Sequence, residues 1–225
     1  MSPPHYRLLR GSELDDTSLL DAWGQAQALH PALQNPYFSP EFTRAVAAVR
    51  NDVRVLVRED GGRASGFFPH QRSAFGWGRP VAGPLSDFHG VIGAPGLEWE
   101  LEPMLRAAGL AGWSFDHLVG DTRAFEAYTS GRSMSPQIDL RQGFDSYVAE
   151  RRAAGSDYIP KTEGLARKLA RDAGELRFTL HDTAPDAMAQ MFAWKRQQYA
   201  QSGLVDVFGV RWTVALIRRL AGTDC

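Results

Sequence analysis

DVRVLVREDGGRASGFFPHQR, residues 52–72, reads as two strands folded back on each other. Val53, Val55 and Val57 alternate with Arg54, Leu56 and Arg58, the period-two pattern of a strand. Asp60-Gly61-Gly62 then supplies residues that accept positive φ in a tight turn. The segments upstream have a different period. Leu19, Leu20, Trp23 and Ala26 recur at helical spacing within 14–29, before Pro31. In NPYFSPEFTRAVAAVR (35–50), Ser39 can cap a second helix and Pro40 fits its first position, with Phe42, Val46 and Val49 on one face. Two helices and a hairpin therefore predict a mixed α/β chain.

Downstream, LEPMLRAAGLAG (101–112) predicts a short helix, and WSFDHL (113–118) and SPQIDL (135–140) predict strands. The character then changes to helix-rich and basic, with Arg151, Arg152, Lys161, Arg167, Lys168 and Arg171. Pro160 and Gly164 are expected to divide this stretch into two helices. ELRFTLHD (175–182) predicts a strand, Thr183 to Asp186 a near capping box, and 186–203 and 211–222 two apolar-faced helices. The composition shifts suggest three parts: a domain over 1–142, a basic helical connector over 143–174, and a second domain over 175–225. The last part offers one strand and two helices with no further strands to cover, so the expectation is a C-terminally truncated chain.

Composition narrows the function. A chain of 225 residues that is 44% hydrophobic can bury a core without staples. Its single cysteine is Cys225, so no disulfide framework or thiolate cluster is expected, and with no export signal a cytoplasmic location is the default. No 18-residue apolar run predicts a membrane span. A formal net charge of -1 gives no whole-molecule attraction to nucleic acid, and the basic stretch 151–171 reads as a solvated helix face more readily than as a phosphate footprint. The six histidines show no ligand spacing, so no metal is expected.

Two places invite a site. RPVAGPLSDFHG (79–90) holds Ser86, Asp87, Phe88 and His89 between glycines and prolines. A carboxylate and an imidazole on one loop could orient an acceptor or take its proton, although Ser and Asp beside Gly and Pro also make ordinary turns. On the helix over 186–201, Lys195 falls within the stripe of Met188, Met191, Phe192 and Tyr199. Either its stem snorkels along apolar surface, or Lys195, Gln198 and Tyr199 face an anionic ligand.

Together NPYFSPEFTRAVAAVRNDVRVLVREDGGRASGFFPHQR, GRPVAGPLSDFHGVI, MLRAAGLAGWSFDHL (104–118), ERRAAGS and WKRQQY resemble the CelD/BcsL type of GNAT-related acetyltransferase, associated with cellulose and exopolysaccharide biosynthesis. The resemblance runs from about Asn35 to Leu220. It implies tandem GNAT-like acyltransferase folds, the first near complete and the second cut short. It implies acetyl-CoA as donor, an amine or hydroxyl acceptor such as a saccharide, and association with polysaccharide-synthesis proteins. In that scheme Ser86, Asp87 and His89 position the acceptor, while Lys195, Gln198 and Tyr199 line the cleft; the catalytic residues are not assigned. Such enzymes grip the donor pyrophosphate with N–H groups in an R/Q-x-x-G-x-G/A loop after a strand. Arg106-Ala107-Ala108-Gly109-Leu110-Ala111 has the letters but follows a helix, so it reads as a helix end. A non-catalytic GNAT-like binding or scaffold module is the alternative.

Overall fold

The computed structural model describes residues 4–120 and 123–223; Cys225 lies outside the described residues. Strand β2 (Val53–Asp60) and strand β3 (Arg63–Arg72) form the expected antiparallel hairpin, with Asp60 paired to Arg63 across Gly61 and Gly62. Both glycines have positive φ, at 59° and 78°, which is the conformation a two-residue hairpin turn demands. Strand β1 (His5–Arg10) adds antiparallel to β2. On the other side β3 pairs with β4 (Trp77–Arg79) through Gln71 and Arg72, and again with β5 (Ile92–Gly93) through Gly66 and Phe67. The short strand β6 (Gly112–Trp113) closes this edge, parallel to β4.

The hairpin is buried on both faces. Val55, Val57 and Phe67 face Trp23 of helix α1 (Thr17–Ala28) together with Leu33 and Phe38. Leu56 and Phe68 face Met104 of helix α3 (Leu101–Ala107) together with Trp99 and Phe125. Trp23 has no exposed surface; its ring stacks on Phe67 at 4.8 Å and its indole N–H donates to the Phe38 carbonyl at 2.8 Å. Helix α1 starts where the Asp16 carboxylate accepts from the N–H groups of Ser18 and Leu19. Helix α2 (Pro40–Ala47) starts as expected, with Ser39 Oγ accepting from Phe42 N–H and Pro40 at the first position.

By contact density the chain divides into two units, Met1–Gly131 with Thr183–Cys225, and Arg132–Asp182. The first unit thus includes helix α6 (Pro185–Ser202) and helix α7 (Arg211–Ala221). Leu216 of α7 is buried with Phe42, Ala45 and Val46 of α2, Val53 of β2, and Val81 and Ala82. Phe192 of α6 packs on Phe208, and Arg196 pairs with Asp206 at 2.8 Å. Pro185 takes the first helical position of α6, but Thr183 makes no cap; Ala184 occupies the N-cap position without a side-chain bond.

The second unit contains helix α4 (Phe144–Ala153) and helix α5 (Tyr158–Ala173). The expected break at Pro160 and Gly164 does not occur. The helices part at 154–157, with Gly155 at φ 77°, and α5 runs through both residues. Pro160 lies in the first turn, where its missing N–H has no helical acceptor to serve, and one interior glycine costs only about 1 kcal/mol. Two expected strands also fail to form. SPQIDL has no regular structure, and ELRFTLHD leaves Phe178 and Leu180 88% and 81% exposed. Alternating apolar residues make a strand only where a ladder partner is available, and among the described residues neither segment pairs with one.

Two tests follow from this core. Trp23→Phe keeps the ring stack but leaves the Phe38 carbonyl buried without its donor, so urea unfolding is expected to show a loss of about 1–3 kcal/mol. His70 is fully buried on β3, and burial pushes its imidazole down to about 4. The unfolded chain therefore binds the extra proton first, and stability is lost as pH falls from about 6.5 to about 4, by up to roughly 3 kcal/mol. His70→Leu should flatten that part of the pH–stability curve.

Candidate functional site

The edge strand built from β4 and β5 is interrupted. After Arg79 the chain reaches Pro80, leaves the ladder, and re-enters it at Ile92. The root of this excursion is fixed by Ala82, which is fully buried and sits at φ 65°, a left-handed conformation that costs a non-glycine residue about 1–2 kcal/mol. Its N–H donates to Gln71 Oε1 at 2.8 Å, Gln71 Nε2 donates to Asp52 Oδ1 at 2.9 Å, and Arg50 Nε donates to the same oxygen at 2.9 Å. The Arg50 guanidinium in turn lies over the Trp212 ring of α7 at 5.1 Å. Burial works against the Asp52 carboxylate, yet the bonds from Arg50 and Gln71 outweigh it and hold its pKa below the usual range.

A 3₁₀ turn, Gly83–Leu85, brings the excursion to Ser86, Asp87, Phe88 and His89. Ser86 Oγ donates to the Phe88 carbonyl at 3.0 Å, a turn bond of the kind expected from sequence. His89 is buried and ties the loop down. Its Nε2 lies 3.1 Å from the Ser86 carbonyl, and Asp116 N–H donates to Nδ1 at 3.3 Å. The Ser86 carbonyl calls for a proton on Nε2, whereas Nδ1 faces both a donor, the Asp116 N–H, and an acceptor, the Asp116 carboxylate. Burial lowers the His89 pKa, with the Asp116 carboxylate, 3.0 Å from Nδ1, opposing it. Both ring nitrogens are thus engaged, Nε2 within the loop and Nδ1 with the facing segment at Asp116, and His89 works as a latch more than as an open base.

The backbone repeats the latch. His89 N–H donates to the His117 carbonyl and Val119 N–H to the His89 carbonyl, a parallel bridge between His89 and Leu118. Between this bridge and the β4–β6 pairing, the excursion and residues 114–117 spread apart around a cleft of about 550 Å³. Arg79, Pro80, Pro84, Asp87, Phe115 and Asp116 line it, with Ser86, His89, Ser114 and His117. Asp87 accepts from Tyr37 OH at 3.1 Å; burial and that carboxylate raise the phenol's pKa. Asp116 is largely exposed and lies 3.5 Å from His117 Nδ1. His117 sits at φ 44°, sterically disfavoured for a residue with a Cβ.

Ser86, Asp87 and His89 therefore lie together on this cleft. Lys195, Gln198 and Tyr199 are not among its lining residues. On α6, the exposed Lys195 Nζ donates to Gln198 Oε1 at 3.2 Å, and Tyr199 stacks on Phe208 at 5.7 Å. Arg79, Ser114, Asp116 and His117 were not singled out from sequence. WSFDHL reads as a plain strand, but only Trp113 joins a strand ladder and Leu118 an isolated bridge. The adjacent polar pair Asp116-His117 within that apolar run is the signal that marks it. Arg106–Ala111 is a helix end, with Gly109 at φ 66°, Gly109 N–H bonded to the Arg106 carbonyl and Leu110 N–H to the Leu105 carbonyl.

Among the described residues no three His, Cys, Asp or Glu side chains converge as a metal site, and no helix is long and apolar enough to cross a membrane. No curated protein and no solved structure matches the chain. Residues 162–224, which run from within α5 through α6 and α7, match the family model described as Acetyltransferase (GNAT) domain, while the cleft residues lie outside the matched stretch.

Proposed function

We propose that the chain serves acyl transfer of the GNAT type, from acetyl-CoA to an amine or hydroxyl acceptor, and that the cleft between 79–89 and 114–117 holds the acceptor. The observation that carries the reaction class is the match of residues 162–224 to a GNAT acetyltransferase domain. The cleft supports the acceptor role by its chemistry. Asp87 and Asp116 offer carboxylate oxygens to an acceptor N–H or O–H, Arg79 offers donors, and Phe115 and the prolines offer apolar surface. His89 and Ser86 position these groups by holding the loop. A saccharide acceptor, with both apolar C–H faces and hydroxyls, and a place beside polysaccharide-synthesis proteins suit this mixed cleft and the resemblance to the CelD/BcsL type; both belong to the proposal.

Acetyl-CoA would need oriented N–H groups and positive potential for its pyrophosphate. Two segments outside the matched stretch do not offer this. The Arg106–Ala111 segment is a helix end, and the start of α3 is flanked by Glu98, Glu100 and Glu102, which repel phosphate. The second reading is a binding or scaffold module that takes the acceptor without transferring to it.

Two measurements test these readings. Calorimetric titration of the chain with amine- and hydroxyl-bearing acceptors is expected to show binding that Asp116→Asn weakens about ten-fold or more, the scale of one charge-assisted hydrogen bond. Unchanged affinity in that variant removes the acceptor assignment. Mass spectrometry of the same acceptors after incubation with the chain and acetyl-CoA separates transfer from binding. A product heavier by one acetyl group above the protein-free control supports transfer, and binding without product supports the module.

A further inference from the structure

Trp77 stands beside the cleft, and the acyl-transfer reading gives it no task. Alternate residues of a strand share a face, so Trp77 lies on the same side of β4 as Arg79, which lines the cleft. Its ring has an unusual bed. Gly112 of the neighbouring strand β6 lies under the six-membered part of the indole, and a Cβ added there would come within 2.5 Å of Cζ3 and 2.7 Å of Cη2. At the ring's edge Nε1–H donates to Ser114 Oγ at 2.8 Å, and Ser114 lines the cleft as well. The indole is thus laid on the sheet by a missing side chain and clamped by one hydrogen bond, yet it remains 44% exposed. An aromatic ring held in place with open surface is a preorganised contact surface, since little rotamer freedom is lost when something lies on it.

We infer that Trp77 is the stacking platform of a saccharide subsite that continues the acceptor cleft, an inference that rests on the acceptor reading above. A pyranose has an apolar face of C–H groups and a rim of hydroxyls. The apolar face packs on the indole, and the rim turns towards the polar residues of the cleft. The cleft that Trp77 adjoins carries both signs of charge, the Asp87 and Asp116 carboxylates and the Arg79 guanidinium, so a phosphate or an ammonium group meets a like charge there as well as a partner. A neutral polyhydroxylated ring meets neither penalty, and it uses the carboxylates as acceptors and the guanidinium as donor.

Saturation-transfer NMR on the full chain tests this, with a β-1,4-linked glucose tetrasaccharide and its α-1,4-linked counterpart as probes. The wild-type protein is expected to saturate the pyranose C–H signals of at least one probe. Trp77→Ala should weaken that binding ten-fold or more, with Trp77→Phe intermediate. Gly112→Ala, which must displace the ring, should weaken it too. Thermal unfolding of each variant checks the fold; if Trp77→Ala is unstable, Trp77→Phe and Gly112→Ala carry the comparison. No saturation of either probe by the wild type, or equal affinity in the folded Trp77 variants, overturns the platform. Calorimetry of amine acceptors on Asp116→Asn keeps the two ideas apart. Affinity lost there but not in the Trp77 variants leaves the acceptor cleft standing and sinks only the platform, whereas no effect of Asp116→Asn sinks the acceptor reading itself.

Discussion

Strand β3 carries the molecule because its two central residues, Phe67 and Phe68, point to opposite faces and are both fully buried. One packs in the layer with Trp23 and α1; the other packs in the layer with Trp99, Met104 and α3. A strand covered on both sides must keep its register, since a one-residue slip would exchange the two cores. That fixed register is what allows β3 to hold β4 and β5 along the same edge while the chain between them leaves the sheet.

The cleft follows from this arrangement. A sheet edge held at two points, with slack between them, has to bulge, and the segment that begins with β6 pairs with it at Trp77–Gly112 and Gly78–Trp113 and again at the His89–Leu118 bridge. The opening lies where the ladder is missing. Backbone left without ladder partners there is bonded by side chains: Gln71 takes the Ala82 N–H, and His89 takes the Asp116 N–H. Buried polar groups are thereby satisfied without closing the gap. Strained conformations at Ala82 and His117 flank it, as expected where surrounding structure overrides local preference.

Much of this is legible in the sequence where local chemistry decides the outcome. The turn at Gly61-Gly62, the cap at Ser39 and the helix end at Gly109 each need only a few neighbouring residues, and each is realised. Ser86, Asp87 and His89 could be seen as a set because they share one short loop. Asp116 and His117 could not be joined to them, because a parallel pairing across nearly thirty residues leaves no local trace. The same reason explains the absent strand at ELRFTLHD: its alternation is a statement about side chains, whereas a strand also needs an edge to join. Lys195 was drawn into a candidate site by its position in an apolar stripe, yet that stripe is only partly covered, with Phe192 buried and Met188, Met191 and Tyr199 at intermediate exposure.

Arg50 joins parts of the chain that the sequence keeps far apart. Its guanidinium rests on Trp212, within the stretch that matches an acetyltransferase domain, and its bonds to Asp52 lead through Gln71 to the root of the cleft loop. A helix and a loop some 130 residues apart are therefore joined by one unbroken series of side-chain contacts. Removing the Trp212 ring would bare the Arg50 end of a bonded series, Arg50–Asp52–Gln71–Ala82, whose far end anchors the root of the loop beside the cleft.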